Sequence, residues 1–171
     1  MVAVPSRTGG AFHGLNTFLS QTAEYALRAM TWIAGHPLGE PLLTRDLSEG
    51  TQIPTHYLSK ILRRLVLADL LESRKGRGGG FILARPPGEI SFRDVLVAVN
   101  AYPREDRCAF GWGTCDPSRP CPLHASWSRM SEHFRNWAAR STFADVHRLA
   151  RARRRVAIKL RSSPPKRSRT R

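Results

Sequence analysis

"IPTHYLSKILRRLVLADLLESRKGRGGGFIL", residues 53–83, decides the fold. Its first half repeats apolar residues at three- and four-residue spacing: Tyr57, Leu58, Ile61, Leu62, Leu65 and Val66. That period predicts a helix over Pro54–Val66 with one apolar side. Pro54 suits its first turn, where a missing N–H costs nothing. The other face starts at Thr55 and presents His56, Ser59, Lys60, Arg63 and Arg64, all polar or basic. The second half holds two short extended runs, Leu71–Lys75 and Phe81–Ala84, joined by Gly76-Arg77-Gly78-Gly79-Gly80. Glycines there permit positive φ and close approach, so this reads as a hairpin with a cationic tip.

Just upstream, Thr44 is placed to cap a short helix carrying Leu47, and Thr51–Gln52 makes the break before Pro54. Two helices with a tight break, then a hairpin, form a winged helix-turn-helix. One helix braces while the next presents polar and basic groups to a duplex. Arg74, Lys75, Gly76 and Arg77 of the wing reach for phosphates or the minor groove. The Gly-rich run is not a phosphate-binding nucleotide loop: it lacks the Gly-Lys-Ser/Thr ending and precedes a strand rather than a helix.

Around this unit the remaining pattern is helical. Leu19, Ala23, Ala26, Leu27, Met30, Ile33 and Ala34 mark an amphipathic helix that Gly35 and Pro37 stop. "ISFRDVLVAVNA" is another, with Ser91 and Asp94 spaced as a capping box. Leu123, Trp127, Met130, Phe134, Trp137 and Ala138 form an apolar stripe on a long helix, more than a small winged helix buries alone. It therefore calls for a partner helix, most simply from a second copy of the chain. Thr142 caps a final helix. The expected fold class is mainly α, with a small β-hairpin wing and a long C-terminal dimerisation helix.

Bulk properties fit a nucleic-acid partner. The 171 residues carry a formal charge of +15, and Lys/Arg outnumber Asp/Glu by 28 to 13. Eleven of the basic residues and no acid fall between Arg148 and Arg171, which leaves 17 against 13 elsewhere. A basic arm favours polyanions through counterion release without choosing between sequences. No run approaches the ~18–20 apolar residues of a membrane span. The start has no basic segment followed by an apolar one, so no secretory signal is read and the cytoplasm is expected. Paired carboxylates, a nucleophile elbow and a cofactor loop are all missing from the sequence, so no enzyme is expected.

All three cysteines lie within "CAFGWGTCDPSRPCPLHASW", residues 108–127, as Cys108-x6-Cys115-x5-Cys121-x2-His124. Reduced thiols clustered on one loop suggest metal or redox chemistry rather than disulfides. Pro122 at a first helical position would put Cys121 at the N-cap, where the helix dipole favours the thiolate. Four readings stay open: an iron–sulfur cluster with three Cys and a harder fourth ligand, Cys3His zinc, a Cys121/His124 nucleophile dyad, and unliganded thiols. Zinc sites usually pair their cysteines at closer spacing than this.

A winged helix followed by a three-Cys loop and a long helix resembles the Rrf-two family of bacterial regulators, of the IscR/NsrR type. The similarity runs from about Phe18 to Val146 and rests on "AEYALRAM", "IPTHYLSKILRRL", "SRKGRGGGFILARP", "SFRDVLVAVN", the cysteine triplet and "STFADV". The resemblance implies a homodimer reading a near-palindromic operator in double-stranded DNA. His56 and Ser59 would face base edges, with Tyr57, Lys60 and the wing on backbone or minor groove. It also implies an iron–sulfur cluster, 2Fe-2S favoured and 4Fe-4S possible, on Cys108, Cys115 and Cys121. The pattern Cys121…His124-Ala125-Ser126-Trp127 favours His124 as the fourth ligand, and Glu24 from the other subunit is the alternative. The first cysteine gap is six residues where IscR-like members have five.

The resulting layout is a disordered N-terminal extension over 1–16, a winged helix-turn-helix over 17–100, a cluster-binding loop and dimerisation helix over 101–147, and a basic disordered tail over 148–171. The expected function is a transcriptional regulator, a repressor, whose operator affinity follows a cluster sensing iron–sulfur status, nitric oxide or redox stress. The alternative is a zinc-stabilised nucleic-acid-binding protein that senses nothing.

Overall fold

A computed structural model of the chain describes residues 19–104, 107–108, 111 and 113–148. The expected extension over 1–16 and the basic segment after Arg148 lie outside the described residues.

Helix α1 (Gln21–Ala34) starts where the Ser20 side chain accepts the Ala23 N–H at 3.3 Å. Its buried side is Ala23, Ala26, Ala29, Met30 and Ile33. The small alanines let α2 (Thr44–Thr51), α3 (Thr55–Leu67) and α4 (Phe92–Ala98) all pack against it. Between α2 and α3, Gln52 takes a left-handed conformation (φ 56) and reverses the chain. Ser48 staples the turn: its Oγ donates to the Ile53 carbonyl at 2.7 Å and lies 3.0 Å from Thr55 Oγ1. Helix α3 buries Leu58, Ile61, Leu62 and Leu65, each worth ~1.5–3 kcal/mol relative to exposure.

Three local expectations are corrected here. Thr44 is the first residue of α2 rather than its cap; Leu43 holds the cap position with no side-chain hydrogen bond. Pro54 is the N-cap of α3, one position earlier than a first-turn residue. Tyr57, assigned to the apolar side by its period, is 45% exposed and leans on α1. The first two differences are shifts of one residue at a helix end, where periodicity carries least information.

The wing is β1 (Leu71–Arg74) paired antiparallel with β2 (Gly80–Leu83), in register Leu71↔Leu83 to Arg74↔Gly80. Leu42 adds a single bridge to the free side of β2, its N–H donating to the Phe81 carbonyl at 3.0 Å and its carbonyl accepting from Phe81 at 2.9 Å. Gly80 sits at φ +147, and a Cβ there would stand 2.6 Å from the Leu42 carbonyl oxygen. Only glycine lets this third strand approach.

The Ser91/Asp94 capping box opens α4 as its spacing predicts: each side chain satisfies the other's backbone N–H. The longest element, α5 (His124–Arg140), packs on α4 and buries only Ser131 and Ala138. Residues 141–148 then return to the winged-helix body. Phe143 is fully buried against Phe92, and its N–H donates to the Ile90 carbonyl at 3.3 Å. Thr142 caps the last described helical turns with Asp145, as expected. No helix among the described residues is long and apolar enough to cross a membrane.

Candidate nucleic-acid interface and cysteine loop

Thr55, His56, Tyr57, Ser59, Lys60 and Arg63 all lie exposed on α3. The His56 and Tyr57 rings stand 4.2 Å apart, and Tyr57 meets Tyr25 of α1 edge to face at 6.2 Å. The start of the recognition helix is thus braced by an aromatic contact to α1. Ser59 Oγ donates to the Thr55 carbonyl at 2.8 Å. Ser59 and Arg63 also border a groove between α3 and the wing, with Val66, Leu67, Ser73 and Phe81 along its walls.

Arg64 stands apart from this set. Its guanidinium donates to the Val99 carbonyl at 3.0 Å, tying α3 to the end of α4. On the wing, Arg74, Lys75, Gly76 and Arg77 are exposed. Arg74 reaches back to the Gly39 carbonyl at 3.4 Å, while Lys75 and Arg77 extend from the tip.

The cysteine loop is built by short backbone contacts. Arg107 bridges Thr114, and the Cys108 N–H donates to the Gly113 carbonyl at 3.2 Å. Gly113 at φ +101 permits this narrow turn. Trp127 of α5 donates its indole N–H to the Arg107 carbonyl at 3.3 Å, which fastens the loop to the helix. Periodicity assigns Trp127 to the apolar stripe, and nothing in the sequence points its indole N–H to the Arg107 carbonyl.

All three cysteines are half-buried free thiols. Cys115 Sγ lies 3.1 Å from His124 Nδ1. Burial pushes the Cys115 thiol above its usual value, and the nearby negative charge of Cys108, Cys121 and Asp116 adds to the rise. Asp116 is held below the usual carboxylate range by hydrogen bonds from the Ser118 side chain and backbone. Cys121 is not a helix N-cap, which corrects the dipole argument. Leu123 holds that position, and the His124 N–H closes a turn on the Cys121 carbonyl at 2.9 Å.

By residue type the donor set suits a thiophilic centre: three free cysteines, with the His124 imidazole against Cys115. Among the described residues, no three His, Cys, Asp or Glu side chains converge closely enough to hold a metal ion. Glu24, the alternative donor, is paired with Arg28 in the first turns of α1. Arg28 also donates to the Thr51 carbonyl at 3.4 Å and lies over the Tyr25 ring. Sequence spacing did not single out Arg28.

A family model, Rrf2, described as iron-dependent transcriptional regulator, matches residues 19–148. The chain belongs to the Rrf2 family. A Mycobacterium tuberculosis relative, named only as an HTH-type transcriptional regulator, is 36% identical over 129 residues, covering 75% of this Rrf2 chain and 80% of that protein. The HTH-type transcriptional regulator IscR of Klebsiella pneumoniae is 30% identical over 128 residues, covering 75% and 78%. In fold, the Rrf2 chain is similar to CymR, described as the global cysteine regulator of B. subtilis, with a TM-score of 0.63 and 20% identity over 76% of this chain and 95% of that one. This Rrf2 protein is a winged-helix transcriptional regulator, and neither its family nor these relatives are enzymes.

Proposed function

We propose that this Rrf2 regulator is a homodimeric repressor whose hold on a near-palindromic operator is set by an iron–sulfur cluster, of the 2Fe-2S type, on Cys108, Cys115, Cys121 and His124. The observation that carries the reading is the 3.1 Å approach of Cys115 Sγ to His124 Nδ1, which joins the loop's central thiol to the first turn of α5. The family's description as iron-dependent supports it. A bound cluster supplies a redox-active centre that oxidants and nitric oxide attack.

The chain's own residues turn that site into control of DNA. The cysteine loop lies between α4 and α5, and Trp127 fastens its start to α5. A change in loop conformation therefore bears on α5, and through α5 on the relative placement of two winged helices. Recognition helices whose spacing no longer matches the half-sites lose affinity without unfolding. Dimerisation through α5 is supported by its outer stripe: Leu123, Met130 and Trp137 are 45%, 40% and 44% exposed in one chain. On α3, His56 and Ser59 address base edges, with Tyr57, Lys60, Arg63 and the wing on the backbone.

The test is anaerobic purification with an absorption spectrum and assays of iron, sulfide and zinc, on the wild type and on His124→Ala and Glu24→Gln. Matched iron and sulfide, with a spectrum altered by His124→Ala and not by Glu24→Gln, is the expected result. The reverse pattern moves the fourth ligand to Glu24 of the other subunit. A colourless protein with stoichiometric zinc overturns the cluster and leaves the zinc-stabilised reading.

A further inference from the structure

We propose that the groove between α3 and the wing seats one backbone strand of the DNA duplex, with Arg63, Thr44 and Ser73 donating to neighbouring phosphates on that strand. The proposal rests on DNA binding by the winged helix and deepens it with two residues, Thr44 and Ser73, that lie outside both α3 and the wing tip. It does not depend on the cluster.

The hairpin register builds the groove. Ser73 of β1 pairs with Phe81 of β2, and Leu42 bridges Phe81 from the other side. Thr44 follows two residues after Leu42, so Thr44 and Ser73 border the groove on either side of Phe81, with Ser59 and Arg63 of α3 along the facing wall. The volume is about 280 Å³, short of the ~300–1,000 Å³ of a small-molecule pocket.

Its donors are uncommitted. Among the described residues, nothing pairs with the Arg63 guanidinium or with the Thr44 and Ser73 hydroxyls. Ser59 differs: its hydroxyl already donates to the Thr55 carbonyl. Arg64, the next residue along, is turned away to the Val99 carbonyl, which leaves Arg63 as the cation on this wall. No acid borders the groove. A guanidinium and two hydroxyls without an acid among them suit a phosphate, whose oxygens only accept. Val66, Leu67 and Phe81 offer the deoxyribose carbons an apolar wall.

Position decides which phosphates these are. A recognition helix lies in the major groove, and a wing reaches the adjacent minor groove. One backbone strand separates those two grooves, so in a docked complex it crosses between α3 and the hairpin. Contacts there carry no sequence information; they fix the register of α3 and the wing on the duplex.

The experiment scans a duplex recovered by selection from a random library with single methylphosphonates, each of which makes one phosphate neutral. Wild type is compared with Arg63→Gln and with the Thr44→Val, Ser73→Ala pair, which removes two hydroxyls and no charge. Matched melting temperatures show that the variants fold. Each lost hydroxyl should weaken binding about two- to tenfold and leave its salt dependence unchanged. Arg63→Gln should flatten the log–log salt slope by ~0.9 per protomer. In each half-site, the same few adjacent phosphates should matter to wild type and lose their effect in these variants. Lys75→Gln at the wing tip should leave those phosphates as costly to neutralise as before. Hydroxyl variants that bind like wild type, or one methylphosphonate pattern shared by every variant, overturn the proposal. If wild type binds its selected duplex in those cases, the winged-helix reading stands and only the groove falls.

Discussion

Trp127 and Arg107 join the two ends of the cysteine loop's surroundings: the indole on α5 donates to the backbone carbonyl immediately before Cys108. The loop is therefore tied to the helix we propose as the dimer seam. Trp127→Phe removes the donor and should lower unfolding stability by ~0.5–1.5 kcal/mol. It should also speed iron loss to a chelator severalfold. Denaturant unfolding and chelator kinetics check both, and unchanged iron release would separate the loop from α5.

Arg64 and Arg77 should fail in different ways. Arg64 is tied to the Val99 carbonyl, so Arg64→Ala should cost ~1 kcal/mol of stability. Arg77 is exposed at the wing tip, so Arg77→Ala should leave the melting temperature alone and flatten the salt dependence of duplex binding by ~1 per protomer. Thermal melts and a salt series on both variants decide it.

Met130→Glu places a charge in the exposed stripe of α5. In a dimer built on that stripe, the buried carboxylate lacks a partner, and the dimer dissociation constant should rise more than about tenfold. Sedimentation measures this directly. A dimer of undiminished strength would place the interface elsewhere.

Acid stability has a local source in the last turns. Hydrogen bonds from the Thr142 backbone N–H and hydroxyl hold the Asp145 carboxyl below the usual carboxylate range, with Arg148 adding to the effect. A carboxyl lowered by folding contributes stability that is fully present above its unfolded value of about 3.9. That contribution is lost as pH falls through the lower folded value. Asp145→Asn should therefore destabilise the protein at neutral pH and shrink its stability difference from wild type as pH falls from about 5 towards 2. A difference independent of pH would assign the cap no charge component.

Much of this fold was legible because its signals are local. Ser91 and Asp94 three residues apart, Gly76–Gly80 between two short extended runs, and apolar spacing in α1 and α3 each depend on neighbours in sequence. What sequence missed is tertiary. Nothing near Arg64 predicts Val99, nothing near Gly80 predicts Leu42, and His147 finds Thr31 across more than a hundred residues. Helix ends lie between these cases: Thr44 is expected as a cap and is the first helical residue, Pro54 is expected in a first turn and is the cap, and Cys121 lies two positions before the cap at Leu123. In the candidate site, the cysteines and His124 were visible by type and spacing, whereas the contacts of Trp127 and Arg28 required the folded chain.

The central claim is that the metal centre controls DNA affinity. The most direct measurement takes a duplex recovered by selection from a random library and titrates it with anaerobically purified protein, before and after chelation of iron. The account predicts at least about a tenfold change in affinity, equivalent to ~1.4 kcal/mol, with the protein still folded and dimeric. Equal affinity in the two states would contradict it.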